Sequence, residues 1–318
     1  MEKILGVHKT PIVTIGVCIK NGASTIHDTI KSILNQDFPQ EYIEIIFVDD
    51  GSKDNSLSII KTYSTKMNIR VKIFHHTWKG LGYSRNVVVN NATGKYIVWV
   101  DADMILSTNY VRKLVEYMDQ NAKVGIVKGK FMLNPEANWL SSLEKYSRAA
   151  GKMVDFNLVR KGNPKSLGTG GAIYRVKIIR NIGGFDEKIT GHGEDLDAEC
   201  RIKAVGWLFS TIDVWFLDRE RFRMTWRDIW RNYYNRGYSL HYIYCKHKDL
   251  ISLCRISPFA AFLSGFFYSI RLYRLVHRKL VFLLPIQHSY KMTAWCFGFL
   301  QAHLDSPHAL NRTKISNI

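Results

Sequence analysis

The chain predicts an α/β fold, a mostly parallel sheet flanked by helices, with a helical appendage at its C-terminal end. Three observations carry that expectation. Between Ile12 and Trp207, β-branched runs alternate with stretches of helical apolar spacing. Acidic residues stand at the ends of two of those runs, Asp49 and Asp50 in one and Asp101 and Asp103 in the other. Beyond Asp218 the composition turns to arginines interleaved with tryptophans and tyrosines. Strand and helix in alternation imply right-handed crossovers, and the ligand crevice of such a sheet lies at the carboxyl ends of its strands.

The first element is IVTIGVCI, Ile12 to Ile19, nearly continuous in apolar residues, as a strand buried on both faces should be. A helix follows through Ile26, Ile30, Ile33 and Leu34, before Pro39 forbids continuation. The pattern repeats with a strand at Ile43–Asp50, a helix through Leu57, Ile59 and Ile60, and a strand at Val71–His75. A helix over Ser84–Asn91 then leads to YIVWVDAD, Tyr96 to Asp103. After Lys123 come the apolar run VGIVKGKFML, a helix-like stretch, the glycine cluster GTGGAIY (Gly168–Tyr174) and the segment Gly183–Trp207. The domain boundary is placed at Asp218, giving a catalytic domain over 1–218 and a basic, aromatic-rich helical region over 219–318.

Composition narrows the class. The five cysteines, Cys18, Cys200, Cys245, Cys254 and Cys296, are scattered, without the close pairs of zinc or redox motifs, and read as reduced. The formal charge of +18 suits nucleic acid, anionic lipid headgroups or phosphorylated substrates equally. The opening MEKILGVHKTPIVTIGV has no signal-peptide pattern, which points to the cytoplasmic side.

Two carboxylates one residue apart, Asp101 and Asp103, can face one pocket once the strand that carries them has turned. Magnesium or manganese favours such oxygen ligands, commonly uses only one or two carboxylates, and takes the rest of its shell from water and substrate phosphates. Alone, an Asp-x-Asp is more often a capped turn. Order and spacing add what the pair lacks: VDDGSKDNS, KGLGYSRN, GKYIVWVDAD, GGFDE and GHGEDLDAECRIKAVGW follow the opening strand in sequence. Over Ile12–Trp207 the chain resembles the inverting family 2 glycosyltransferases of GT-A fold, a Rossmann-like α/β architecture, and in particular their membrane-associated type.

That resemblance implies a role for each residue. Asp50 would accept a hydrogen bond from the nucleotide base, with Asn21 at the neighbouring strand end, and Gly82 and Arg85 would lie near base or phosphate. Asp101 would meet both the donor and the Mn2+ or Mg2+ ion, which Asp103 also binds. Asp195 would be the general base that deprotonates the acceptor hydroxyl. Glu194 would orient the acceptor or support the metal side, although carboxylates at a helix N-terminus also suit the dipole. Gly170 and Gly171 would keep the acceptor pocket open. His192 stays outside this set. The first strand ends in Cys18 and Lys20 where relatives often offer a flat residue to the base, so UDP- and GDP-sugars both remain open.

The stretch Arg219–Ser239, containing Arg221, Arg223, Arg227, Arg231 and Arg236, resembles the arginine-rich helix that follows the catalytic domain in membrane-associated relatives. The Gln-x-x-Arg-Trp motif of processive synthases is absent, which favours transfer of a single sugar. The apolar run Ile256–Ile270 falls short of the roughly 20 residues that span hydrocarbon. Leu280–Ile286, broken by Pro285, and Thr293–Leu300 are shorter still, so interfacial helices at the cytoplasmic face of a membrane are expected. The expected partners are a nucleotide-sugar donor, a lipid-linked or glycan acceptor and the membrane surface. A polyprenyl-phosphate sugar synthase is the nearest rival. A sugar nucleotidylyltransferase would show a glycine-rich phosphate loop where this chain has KNGAST, and a nucleic-acid-binding protein would leave the ordered motifs unexplained.

Overall fold

The structure, a computed structural model, describes residues 10–132, 138–159, 166–219, 224–247 and 257–315, the backbone alone for 151–159 and 306–315. Its first half is the expected alternation: β1 (Val13–Ile19), α1 (Ile26–Leu34), β2 (Ile43–Asp50), α2 (Ser56–Ser64), β3 (Arg70–His76), α3 (Leu81–Asn91) and β4 (Tyr96–Trp99). All eight residues of β2 are buried, as are all of β1 except Cys18, which is half-buried. Strands covered on both faces need no polar alternation, which is why the sequence shows predominantly apolar runs there, with Thr14 and Glu44 buried and paired to each other.

The second half is mixed. It runs β5 (Met104–Leu106), α4 (Tyr110–Gln120), β6 (Val124–Phe131), α5 (Trp139–Val159), β7 (Ala172–Arg175), α6 (Val176–Asn181), α7 (Glu194–Ala204) and β8 (Leu208–Asp218). The strand order is β3-β2-β1-β4-β7-β6-β8-β5. β7 is antiparallel to both β4 and β6, and β5 to β8, while the remaining pairings are parallel. The expected strand Tyr96–Asp103 is therefore two pieces: β4 stops at Trp99, Asp101–Asp103 lies in a turn, and β5 starts at Met104. That break lifts both aspartates out of the ladder at the edge where the parallel strands end. Apolar faces of α3, α6 and α7 close one side of the sheet around Val88, Trp99, Tyr174, Ile179, Phe185 and Ile202.

The chain divides into two compact units, the first over 1–132, 158–188 and 194–221, the second over 133–157, 189–193 and 222–318. The second unit takes in most of α5, so it is not confined to the residues beyond 218. It continues with α8 (Trp226–Lys246), α9 (Pro258–Val276), a 3-10 turn at Lys279–Leu283 and α10 (Leu284–Ile315). Arg221, Arg223, Cys254, Arg255 and Ile256 lie outside the described residues. A capping box starts α8, with Thr225 accepting from the Asp228 N–H and the Asp228 carboxylate accepting from the Thr225 N–H. Pro285 does not break the last apolar segments apart: it sits in the first turn of one long helix, where a missing N–H costs no hydrogen bond.

Leu140, Leu143, Tyr146, Ile229, Leu272 and Leu284 form this unit's core. Beside it, Lys291 pairs with Glu144, and Gln287 donates to the same carboxylate at 3.1 Å. α8 and α10 touch backbone to backbone: a Cβ on Gly237 would collide with the Trp295 carbonyl, and one on Gly298 with the Tyr234 carbonyl. Among the described residues no helix is long and apolar enough to cross a membrane.

Candidate functional site

The loops at the carboxyl ends of β1 and β2 are stitched together by side chains. Asn21 holds a left-handed backbone (φ 52), a conformation asparagine tolerates better than most residues. Its N–H donates to Ser52 Oγ at 2.9 Å, and its Oδ1 accepts from the Lys53 N–H at 2.8 Å. Gly22 and Ala23 donate to Ser56 Oγ and Asp54 Oδ2. Asp50 is buried, and its two oxygens accept from the N–H groups of Lys79 (2.8 Å) and Gly80 (3.2 Å), which fixes the β3–α3 loop over the end of β2. That loop presents Trp78, 56% exposed, with the Lys20 ammonium 4.7 Å from its ring centre. A flat residue thus does stand beside the end of β1, contributed by a loop distant in sequence rather than by β1 itself.

Asp101 leaves the end of β4 over the glycine turn that precedes β7. The Gly171 N–H donates to the Trp99 carbonyl at 2.8 Å, holding that turn under the strand end. Gly171 has φ +77, and Tyr110 Oη donates to its carbonyl at 2.6 Å. A Cβ on Gly170 would overlap the Asp101 carboxylate, so the small residue clears room for the acid. The Asp103 carbonyl accepts from the Arg219 N–H at 2.6 Å, tying the same turn to the end of β8. Gly82 packs differently: the close approach it permits is to the Asp186 carbonyl, 3.1 Å from its would-be Cβ.

Across this turn lies the start of α7. Glu194 is 3% exposed and is ion-paired with Arg85, itself 5% exposed. Arg85 also faces the rings of Trp99 and Phe185, at 5.9 and 5.6 Å. Burial opposes its charge, but Glu194, Asp195 and Asp101 around it keep the guanidinium above its ordinary range. Burial likewise pushes the Glu194 carboxyl up, against the pull of Arg85. The Cys18 thiol is raised to about 12 by burial, which leaves it an inert neighbour. Asp195 is half-buried; its Oδ1 accepts from the Leu196 N–H at 2.8 Å and its Oδ2 lies 3.3 Å from the would-be Cβ of Gly168.

The segment Gly168–Gly170 therefore touches Asp195 at one end and Asp101 at the other. Two residues of chain reach no further than about 7 Å, so both carboxylates lie beside this one short segment. His192 belongs to the second unit, where its N–H donates to Ser239 Oγ at 3.2 Å.

Two residues that the sequence reading passed over hold that segment. Lys128 lies within β6, buried, and its ammonium donates to the Leu167 and Gly168 carbonyls at 2.7 and 3.3 Å. Glu199, one helical turn after Asp195, is fully buried; it accepts from Ser166 Oγ (2.5 Å), the Leu167 N–H (3.0 Å) and Tyr174 Oη (3.1 Å). Burial, reinforced by Asp195, raises its carboxyl to about 7. Burial lowers the Lys128 ammonium below the usual lysine range, against the pull of Glu199 and Asp101. Lys128, one of two lysines in the apolar-rich strand VGIVKGKF, was the available signal for this network. Glu199 gave none, because a helical glutamate is usually solvated.

Whether these residues suit a divalent ion can be judged from the donors. Among the described residues no group of three or more His, Cys, Asp or Glu side chains is gathered as a protein-only metal cage. Asp101 and Asp103, both half-buried on one turn, offer the pair of carboxylates that a magnesium or manganese ion shared with a diphosphate uses. Asp101 acts electrostatically on the cations Arg85 and Lys128 as well as on Glu194, so positive charge from the protein already stands near this carboxylate.

The model of the family described as "Glycosyl transferase family 2" matches residues 14–183. Among curated proteins, the chain is 30% identical over 101 residues to the poly(ribitol-phosphate) beta-N-acetylglucosaminyltransferase TarS of Staphylococcus aureus, covering 32% of this chain and only 18% of that enzyme's length. It is 26% identical over 292 residues to an uncharacterized glycosyltransferase of Methanocaldococcus jannaschii, covering 89% of this chain and 94% of that one. Among solved structures, a mannosyltransferase from Pyrobaculum calidifontis, in complex with GDP-Man and Mn2+, superposes with a TM-score of 0.64 at 17% identity, covering 92% of this chain and 88% of that one. TarS residues 1–349 in complex with UDP-GlcNAc superpose with a TM-score of 0.50 at 17% identity, covering 92% of this chain and 91% of that one. At such identities the superpositions establish a shared GT-A-like fold.

Proposed function

The chain belongs to glycosyl transferase family 2, and from that membership we propose that it moves a single sugar from a UDP- or GDP-sugar to a hydroxyl group of a lipid-linked or glycan acceptor, inverting the anomeric centre. The observation that carries the proposal is the Gly168–Gly170 segment, which touches Asp195 at one end and Asp101 at the other.

The residues divide the work by their surroundings. Asn21, Asp50 and the β3–α3 loop form the rim that receives the nucleotide, with the face of Trp78 presented to the base and Lys20 beside it. The Asp50 carboxylate, with two backbone donors already bound, keeps lone pairs to accept a base N–H. Asp101 and Asp103 would hold a Mn2+ or Mg2+ ion, which supplies neutralising charge to the departing diphosphate. Support for that ion comes from the pair of carboxylates here and from the Mn2+ in the Pyrobaculum mannosyltransferase complex. Glu194 is committed to Arg85, and the pair steadies the start of α7.

Asp195 is then the carboxylate left to act as base. As the acceptor oxygen bonds to the anomeric carbon, its proton passes to Asp195, and the bond from that carbon to the diphosphate oxygen breaks with its electrons staying on the diphosphate. Inversion needs base and leaving group on opposite sides of the sugar, the roles this reading gives to Asp195 and to the diphosphate held at Asp101. A hydroxyl acceptor is preferred over a lipid phosphate because an ionised phosphate would give Asp195 nothing to remove. Incubating the full chain with a panel of UDP- and GDP-sugars, with Mn2+, Mg2+ or a chelator, tests the reading. Metal-dependent release of UDP or GDP from one donor is expected; a folded protein that neither binds nor turns over any of them would overturn it.

A further inference from the structure

α9 is built inside out for a helix packed in water. The face it turns to the second unit's core carries Ala261, Gly265, Ser269 and Leu272, all buried, three of them small. Gly265 allows α9 to lie directly on the start of α10, where its would-be Cβ stands 2.6 Å from Pro285 Cα. The opposite face carries Phe259, Phe262, Leu263, Phe266, Phe267 and Ile270, which are between 39% and 72% exposed. A soluble amphipathic helix buries its large apolar side chains and shows its polar ones. Small residues between helices and large apolar ones outside are the arrangement favoured where lipid covers the outer face.

Charge says which covering fits. Arg274 continues the phenylalanine line one turn beyond Ile270, Arg271 flanks it, and Arg278 and Lys279 follow, all four exposed. From Ser257 to Leu304 there is no aspartate or glutamate. The apolar line, Phe259 to Ile270, is roughly 17 Å long, about half the thickness of a hydrocarbon core. An apolar face of that length ending in cations can lie in the headgroup layer, with its arginines at the phosphates, but cannot cross it. A second copy of the chain would bring the same cations with it, whereas an anionic bilayer supplies their counter-charge.

We infer that the outer face of α9 docks the protein on the surface of an anionic lipid bilayer, lying in its headgroup layer. The inference rests on α9 and its flanks alone and stands apart from the transferase reading, since its test reads binding rather than turnover. The full chain is floated with vesicles of phosphatidylcholine alone and of phosphatidylcholine with phosphatidylglycerol, beside a Phe266→Ser/Phe267→Ser variant and an Arg274→Glu variant. The wild type should float with the anionic vesicles and much less with the neutral ones. The double variant should lose about tenfold or more of that binding without a drop in Tm, because both rings are exposed, and Arg274→Glu should weaken the preference for the anionic lipid. Three results would each overturn the inference: a wild type that floats with neither vesicle, a double variant that floats like the wild type, or a lipid-free dimer that the double variant dissociates.

Discussion

The Asp101 carboxylate occupies the space that a Cβ on residue 170 would take. Gly170→Ala should therefore push Asp101 off its position while the surrounding sheet persists. Displacing a reactive-site group by about an ångström commonly costs a hundredfold in rate. We expect kcat/KM to fall by about that factor with a Tm close to wild type, read by steady-state kinetics beside a thermal melt.

Arg85 and Glu194 form a buried pair among other carboxylates, so removing one partner strands the other. Arg85→Ala should cost about 3–5 kcal/mol of stability, the usual penalty for orphaning a buried charge. Adding Glu194→Gln to it should restore much of the loss, because the stranded charge is then gone. Chemical denaturation of the two single variants and the double variant measures the coupling.

Glu199 links stability to pH. Its carboxyl titrates near 7 in the fold against an ordinary value of 4.5, so between those limits the native state holds a proton the unfolded chain has released. That contribution is present at the acidic end and is lost as pH rises through about 7. Glu199→Gln removes it. Melts of both proteins across this window should show wild type losing more stability than the variant as pH rises; parallel curves would contradict the account.

In the second unit, Gly237→Ala should be costly although alanine favours helices, because its methyl group would meet the Trp295 carbonyl rather than a yielding side chain. Overpacking of this kind costs about 1–3 kcal/mol. A lowered Tm is expected, with a larger drop for Gly237→Val.

Much of the fold was legible because burial leaves a direct trace in composition. The runs at Val13–Ile19 and Ile43–Asp50 are rich in apolar residues on both faces, as a sheet covered on both sides asks. The antiparallel half was hidden: β7 is four residues long, AIYR, too short for any periodicity to show. Pro285 was misleading because the same residue ends a helix or begins one, depending on hydrogen bonds that sequence does not display. Motif spacing was enough to single out Asp101, Asp103, Glu194 and Asp195 as candidates, whose roles belong to the proposed function. The site was illegible where function depends on three-dimensional neighbours. Trp78 reaches the end of β1 from a loop some sixty residues away in sequence, Gly82 spends its smallness on the Asp186 carbonyl, and Lys128 and Glu199 act from within the core on the Gly168 turn.

In the glycosyl transfer proposed for this chain, Asp195 takes the acceptor proton. Asp195→Asn keeps the shape of the side chain and removes its basicity. With the donor found by the nucleotide-sugar panel, calorimetry should show donor affinity within about twofold of wild type, while transfer to acceptor falls by about a hundredfold to ten-thousandfold, the range a general base supplies. Transfer by Asp195→Asn at the wild-type rate would rule Asp195 out as that base.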